Sequence, residues 1–175
     1  MRYAAALFAV YLTLAGPALA QIQPDAATSR RVDEATAALF DLLPRADFAA
    51  EHALMTEDLA AMASLSDWTD FRRALIAELG PTPRYAAHAV TYYQQARLLA
   101  AVDFWGKAAK ADTYVCGFVL WDIPPAGDIR LGRIEQNIVP VAPMRKMAVQ
   151  EAAQLMANWH CPKDLIGSVL GVTVQ

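Results

Sequence analysis

Two cysteines, Cys116 and Cys161, carry the most specific chemistry in this sequence. In an exported protein such a pair forms a disulfide by default, because the compartments outside the cytosol are oxidising. A redox-active pair is usually a Cys-x-x-Cys motif at the start of a helix, and these two cysteines are far apart. We therefore predict a structural Cys116–Cys161 disulfide that joins a central strand to the end of the last helix.

Acidic residues near the same strand offer a second chemistry. Asp122 and Glu135 are candidates for general acid–base catalysis, with Asp103 also on or beside a predicted strand. Two carboxyl groups that face one cleft can share this work when burial raises the pKa of one of them. The alternative, which we favour, is that they are solvated strand ends paired with Arg130, Arg133 or Arg97. Sequence alone does not give the spatial separation that would identify a catalytic pair.

Other catalytic and ligand-binding motifs are missing from the sequence. The histidines His52, His88 and His160 do not form the His-x-x-x-His or Glu-x-x-His spacing of a metal site. Ser168 lies between glycines but not in a G-x-S-x-G nucleophile motif. There is no phosphate-binding loop and no dinucleotide fingerprint. We therefore predict neither a metal site nor a cofactor.

Aromatic residues cluster around the predicted central strand. Large rigid side chains of this kind dominate many binding interfaces, so they predict a surface for a protein or small-ligand partner. The alternative is that they pack between sheet and helices. Alternation makes both faces of the strand apolar, so either helices cover both faces or one face is left open as an interface. The residues concerned are Trp105, Tyr114, Phe118 and Trp121.

The first half of the chain is predicted to be helical. Apolar residues recur there at steps of three and four, which is typical of amphipathic helices. On the third helix the apolar stripe includes Trp68 and Leu75, and Arg72 and Arg73 are expected on the solvent side. Proline and glycine provide the stop signals. The expected helices run from Asp25 or Thr28 as N-cap to Pro44, from Asp47 to about Ser64, and from Ser66 as N-cap to Gly80. For the second helix, a break at Thr56 as a new N-cap is the alternative.

The second half is predicted to be a small sheet followed by a helix. Tyr85, Ala89 and Tyr92 fit one helix face, whereas residues 98–105 read as a buried strand, with a continued helix as the alternative. The connections are short, so the strands must be antiparallel. The expected strands are residues 98–105, 113–123 and 129–139, and the expected closing helix is 144–160, followed by an apolar tail.

The first twenty residues have the pattern of a signal peptide. Arg2 provides the positive start, residues 3–16 form an uncharged apolar run, and residues 17–20 end in small side chains, which predicts cleavage after Ala20. We therefore expect a periplasmic or secreted protein. No later stretch is long and apolar enough to span a membrane.

Length and charge restrict the remaining possibilities. Residues 21–175 suit a single domain, and 56% hydrophobic residues are enough to build a core. The net charge of −3 and the absence of a dense Lys/Arg cluster give no support for nucleic-acid binding. The predicted fold is α+β: N-terminal helices, an antiparallel sheet of about three strands and a closing C-terminal helix.

The absence of a catalytic spacing in the sequence favours a binding role over an enzymatic one. We expect an exported, non-enzymatic interaction or accessory protein held together by one disulfide, because no catalytic spacing is recognisable. The alternative is a small exported hydrolase that uses Asp122 or Glu135.

Overall fold

The computed structural model describes residues 20–80, 84–110 and 112–173. Helices are followed by an antiparallel sheet and then by further helices, so the predicted α+β class is confirmed. Apart from Ala20, the predicted signal peptide lies outside the described residues. The N-terminal part comprises β1 (Ala20–Gln21), α1 (Ala26–Leu42), a 3-10 turn (Leu43–Arg45), α2 (Phe48–Ala53), α3 (Glu57–Met62) and α4 (Leu65–Leu79).

Side-chain caps define where the N-terminal helices begin. Asp25, Asp47 and Thr56 each accept a backbone N–H from the first turn of α1, α2 and α3. Such caps satisfy donors that have no partner inside the helix. In front of α4, Ser64 and Asp67 form a reciprocal capping box, so this helix begins slightly earlier than predicted.

Within the described residues the sheet has five strands, each antiparallel to the next along the chain. The first strand is short, and the other four form a long meander. The sheet therefore has more strands than the three that we predicted. The long strands are β2 (Tyr85–Gln94), β3 (Leu98–Lys107), β4 (Thr113–Ile123) and β5 (Arg130–Pro140).

The helical interpretation of residues 85–94 is wrong, and a β-bulge explains why. Val90, Thr91, Tyr92 and Tyr93 are consecutive strand-forming residues, and β2 pairs with β3 along its length. An irregularity in the pairing at His88 adds one residue to β2, which interrupts the two-residue alternation. The apolar spacing therefore imitates a helical period although the backbone is extended.

The C-terminal part contains three short helices within residues 141–170 instead of the single closing helix that we predicted. They are α5 (Val141–Met144), α6 (Val149–Asn158) and α7 (Lys163–Leu170). The apolar tail forms α7 and packs back onto the body of the protein, as expected. No helix in the described part of the chain is long and apolar enough to cross a bilayer.

The helices lie on both faces of the sheet. The N-terminal helices cover one face, where Leu39 and Trp68 share a hydrophobic cluster with Phe104 and Trp121. The C-terminal helices cover part of the other face, near the β3–β4 turn. Their cluster contains Cys116, Val139, Val141, Met144, Met156, Cys161, Leu165, Ile166 and Val169.

A buried ion pair connects α2 with α4. The prediction that Arg72 faces solvent is wrong, because its side chain is fully buried, whereas Arg73 is exposed as predicted. The Arg72 Nε donates to Glu51 Oε2 at 2.9 Å, and the Trp68 indole donates to the same oxygen at 3.0 Å. Arg72 also donates to the carbonyl of Leu43. Helical periodicity did not reveal the pair because Glu51 lies on a different helix.

The predicted disulfide is present. Cys116 in β4 bonds to Cys161, which follows α6, with a Cα–Cα distance of 5.1 Å and a sequence separation of 45. The bond fixes the C-terminal helices to the middle of the sheet.

Candidate functional site

The four aromatic residues predicted to form a binding surface lie in different environments. Trp121 is fully buried under the N-terminal helices, and its Nε1 donates to Thr36 Oγ1 at 2.9 Å. Trp105 and Tyr114 lie on the opposite face, where their rings are 6.1 Å apart and pack in the C-terminal cluster. Phe118 is half-buried and belongs to neither cluster of the described residues. Three of the four rings therefore pack in a hydrophobic cluster, and Phe118 is the one that remains for the predicted binding surface.

The two predicted acid–base residues, Asp122 and Glu135, lie apart from each other. Asp122 pairs with Arg97 at one end of the sheet, and Glu135 accepts a hydrogen bond from Arg133 at 2.8 Å. In the pairing of β4 with β5, Glu135 lies opposite Phe118. Phe118 precedes Asp122 by four positions on β4. Four positions correspond to about 13 Å along a strand. This exceeds the roughly 5–9.5 Å between the carboxyl groups of a glycosidase pair.

Asp122 lines a cleft of about 600 Å³ at the end of the sheet, which we call the end cleft. The starts of α1 and α3 form one wall, and the β2–β3 turn and the β4–β5 loop form the other. Thr56, Leu98 and Pro124 provide uncharged surface. The charged residues that line the end cleft in the described chain are Arg31, Glu57, Asp58, Arg97, Asp122 and Arg130.

The Arg97–Asp122 pair joins an exposed cation to a buried anion. The Asp122 side chain is 12% exposed and that of Arg97 is 62% exposed. Arg97 Nη1 donates to Asp122 Oδ2, and Asp122 Oδ1 has no hydrogen-bond partner among the described residues. A guanidinium has five N–H donors, so Arg97 can bind a ligand while it keeps this contact.

Two further arginines are oriented by backbone carbonyls. Arg31 Nη2 donates to the carbonyl of Gly127 at 2.8 Å, and Arg130 Nη1 donates to that of Ala53 at 2.9 Å. Arg130 has a longer contact of 3.5 Å to the exposed Asp128. A carbonyl is neutral, so these hydrogen bonds hold each guanidinium in place without cancelling its charge.

The negative charges of the end cleft come partly from the start of α3. Glu57 and Asp58 follow the N-cap Thr56, where the positive end of the helix dipole stabilises acidic side chains. Both are exposed. The end cleft therefore presents cationic and anionic groups together.

A second polar group lies on the sheet face that carries Phe118. We call Asp103, His160, His88, Phe118 and Arg133 the sheet-face group. His160 Nδ1 is 2.9 Å from Asp103 Oδ1, and the imidazole ring is 4.9 Å from that of Phe118. His88 Nε2 is 2.9 Å from the carbonyl oxygen of His160. The Arg133 guanidinium lies over Phe118, 5.2 Å from the ring centre.

His160 has an unusual backbone conformation. It follows the C-cap of α6 with φ +62°, a left-handed conformation that glycine normally supplies at a helix end. The Cys161 N–H bonds back to the carbonyl of Met156 at 3.0 Å, as in a Schellman motif. Residues other than glycine are uncommon in this conformation, and histidine is one of the few that adopt it repeatedly.

Burial raises the pKa of Asp103, and this effect outweighs the opposing influence of His160 and His88. When Asp103 is ionised it accepts from Nδ1 of His160, which fixes the tautomer and leaves the lone pair on Nε2. The arrangement therefore provides an oriented base.

The described residues do not bring together a set of metal ligands. No three His, Cys, Asp or Glu side chains converge around a metal position in residues 20–80, 84–110 and 112–173.

The sequence singled out Asp103 and Asp122 and offered Arg97 among the partners of these acids, but it did not connect His160 with Asp103. His160 was considered only as a metal ligand. A histidine where a helix should end in glycine was a usable signal. Arg97 was one of the three arginines expected to pair with the acids, and the pairing of β3 with β4 places it beside Asp122.

No protein-family model, curated protein or solved structure matches this chain. The geometry of the end cleft and of the sheet-face group is therefore what indicates a function.

Proposed function

We propose that this protein is an exported binding protein that holds a small zwitterionic ligand, such as a free amino acid or a short peptide, in the end cleft. The observation that carries the proposal is a cleft of about 600 Å³ lined by guanidinium and carboxylate groups. Pockets for small molecules typically measure about 300–1,000 Å³ and use a few charged groups to orient the ligand.

The arginines are suited to the carboxylate of such a ligand. A guanidinium binds a carboxylate through two parallel hydrogen bonds. Arg31 and Arg130 are already oriented by backbone carbonyls, so less side-chain freedom is lost when a ligand binds. Arg97 is exposed beside them in the same lining.

The acidic residues are suited to the amino group. Glu57 and Asp58 line the same cleft. A ligand with a single negative charge would leave these carboxylates without a partner. A zwitterion uses both signs, and this favours an amino acid or peptide over a simple organic anion.

Export to the periplasm or the cell exterior is supported by the pattern of residues 1–20 and is consistent with the disulfide. N-terminal sequencing of the protein recovered from the periplasm or the culture medium should find Gln21 as the first residue. An uncleaved chain that stays with the cell would contradict this part of the proposal.

A hydrolase built on Asp122 and Glu135 is not our proposal. Glu135 does not line the end cleft, and each acid is paired with its own arginine.

Calorimetric titration with short peptides tests the proposed ligand class. We expect free dipeptides to bind, and we expect the same peptides to lose at least about tenfold in affinity, or about 1.4 kcal/mol, after N-acetylation or C-amidation. Arg97→Gln should weaken binding similarly because it removes one charged donor.

Arg73→Gln is the matched control. Arg73 is an exposed arginine on α4 outside the end cleft, and its contact with Asp70 is a surface pair. Its replacement should leave binding unchanged. Absence of binding by every free peptide, or equal binding of free and blocked peptides, would contradict the proposal.

A further inference from the structure

We propose that Asp103 and His160 form a general-base pair that activates water to hydrolyse a carboxylic ester whose apolar acyl group lies on the sheet beside Phe118. This activity belongs to the sheet-face group and does not depend on ligand binding in the end cleft.

Two backbone irregularities and the disulfide meet at His160. Its own backbone has φ +62°, the irregularity of β2 lies at His88, and the disulfide holds the next residue, Cys161. His88 contacts the carbonyl of His160, so the bulged residue supports the strained one. Bulges and strained residues are concentrated at functional sites, where they direct particular side chains.

The contacts of the imidazole leave one nitrogen for chemistry. Nδ1 is occupied by Asp103, and the ring leans against Phe118. The His160 side chain is 37% exposed and that of Asp103 is 24% exposed, so solvent reaches the pair. Nε2 is then the nitrogen that can accept a proton from water.

An apolar platform lies next to this base. Leu99, Ala101, Phe118 and Leu120 are half-buried and belong to neither hydrophobic cluster of the described residues. Strand alternation and register place them on the same face as Asp103. The platform fits the acyl chain of an ester. Arg133, beside Phe118, supplies N–H donors that can reach a carbonyl oxygen.

The reaction needs only water as co-reactant. His160 Nε2 takes a proton from water while the water oxygen forms a bond to the ester carbonyl carbon. The tetrahedral intermediate then breaks its bond to the alkoxy oxygen. The imidazolium returns the proton to that oxygen, and the products are a carboxylic acid and an alcohol.

Hydrolysis of p-nitrophenyl butyrate by the full mature chain tests the pair. We expect the wild-type protein to exceed the buffer rate and Asp103→Asn to lose about 100-fold or more of that excess. Asparagine keeps the size of the side chain but removes its charge, and circular dichroism checks that the fold is retained. A wild-type rate equal to buffer, or full activity in Asp103→Asn, would overturn the proposal.

Chemical rescue separates catalysis from a structural role of the histidine. His160→Gly places the preferred residue at the left-handed position and removes the base, so the folded protein should be inactive. Added imidazole should restore part of the activity, after subtraction of the rate of imidazole in buffer. His160→Gly/Asp103→Asn should not be rescued, because nothing holds the added imidazole. No rescue of the folded single variant, or equal rescue of both variants, would show that His160 has a structural role and would refute the proposal.

Discussion

Glu51 and Arg72 show how an ionisable pair can be buried between helices. Both side chains are fully buried, and Glu51 Oε2 accepts from Arg72 and from the Trp68 indole. Burial raises the pKa of Glu51, and the attraction of Arg72 opposes that effect. Each charge is tolerated in the interior because the other is in contact with it.

Glu51→Gln should destabilise the protein by about 3 kcal/mol or more, because it leaves the buried guanidinium without its counter-charge. Urea unfolding measures the difference. The double variant Glu51→Leu/Arg72→Met should be closer to the wild type than Glu51→Gln, since the buried charges are removed together.

Asp70→Asn is the surface control for this experiment. Asp70 and Arg73 are 75% and 69% exposed, so the loss of their contact should change stability by no more than about 0.5 kcal/mol. Equal effects at Glu51 and at Asp70 would contradict the importance that we assign to burial.

The raised pKa of Asp103 predicts a particular pH dependence of stability. Burial makes the folded protein bind this proton more tightly than the unfolded chain, whose pKa is near the ordinary value of 3.8. The stabilising contribution is therefore complete below that value and is lost as the pH rises through the higher folded pKa. Asp103→Asn should remove this part of the slope when chemical denaturation is measured at a series of pH values. An unchanged slope would contradict the assignment.

At the scale of elements, Gly117 controls how closely β4 and β5 approach. A Cβ atom at this position would lie 1.8 Å from the carbonyl oxygen of Glu135, where backbone has to move to make room. The same strand pair holds Phe118 opposite Glu135. The close approach therefore lies directly beside Phe118 of the sheet-face group.

Gly117→Ala should destabilise the protein by about 3 kcal/mol or more, since the clash is with backbone and not with a flexible side chain. Gly132→Ala, in the neighbouring strand, is the control, because its added Cβ would lie 3.5 Å from the Leu120 carbonyl, an ordinary contact. Thermal unfolding compares the two. Similar melting temperatures for both variants would contradict the inferred close approach.

Some elements of the fold could be predicted from the sequence, and others could not. The strand at 113–123 and the N-terminal helices could be predicted because local composition, periodicity and caps agree there. The strand β2 could not, because the bulge at His88 breaks the alternation on which prediction depends. A helical C-terminal part was predicted, but its three separate helices within residues 141–170 depend on packing against the sheet.

The candidate sites were less predictable than the fold for a related reason. The disulfide followed from counting cysteines, and Arg97 was among the arginines expected to pair with the acids, whereas nothing in the sequence connected His160 with Asp103. His160 reaches Asp103, and Arg97 reaches Asp122, only through tertiary structure and strand register.

For the molecule as a whole, the disulfide is what fixes the C-terminal helices to the sheet. Cys116→Ser/Cys161→Ser should lose about 4 kcal/mol of stability, the chain-entropy value for a loop of 45 residues. Urea unfolding of the variant against the oxidised wild type measures this loss. Equal midpoints and slopes would contradict a stabilising disulfide.

The position of that bond also simplifies how the protein matures. The two cysteines of this sequence allow a single intramolecular pairing, so their oxidation within one molecule does not produce a scrambled isomer. Cys161 follows all five strands of the described sheet in the sequence, so the bond closes after those strands have been synthesised. Formation of this bond therefore requires an oxidant but no disulfide isomerase, and the remaining incorrect product is a disulfide between two molecules.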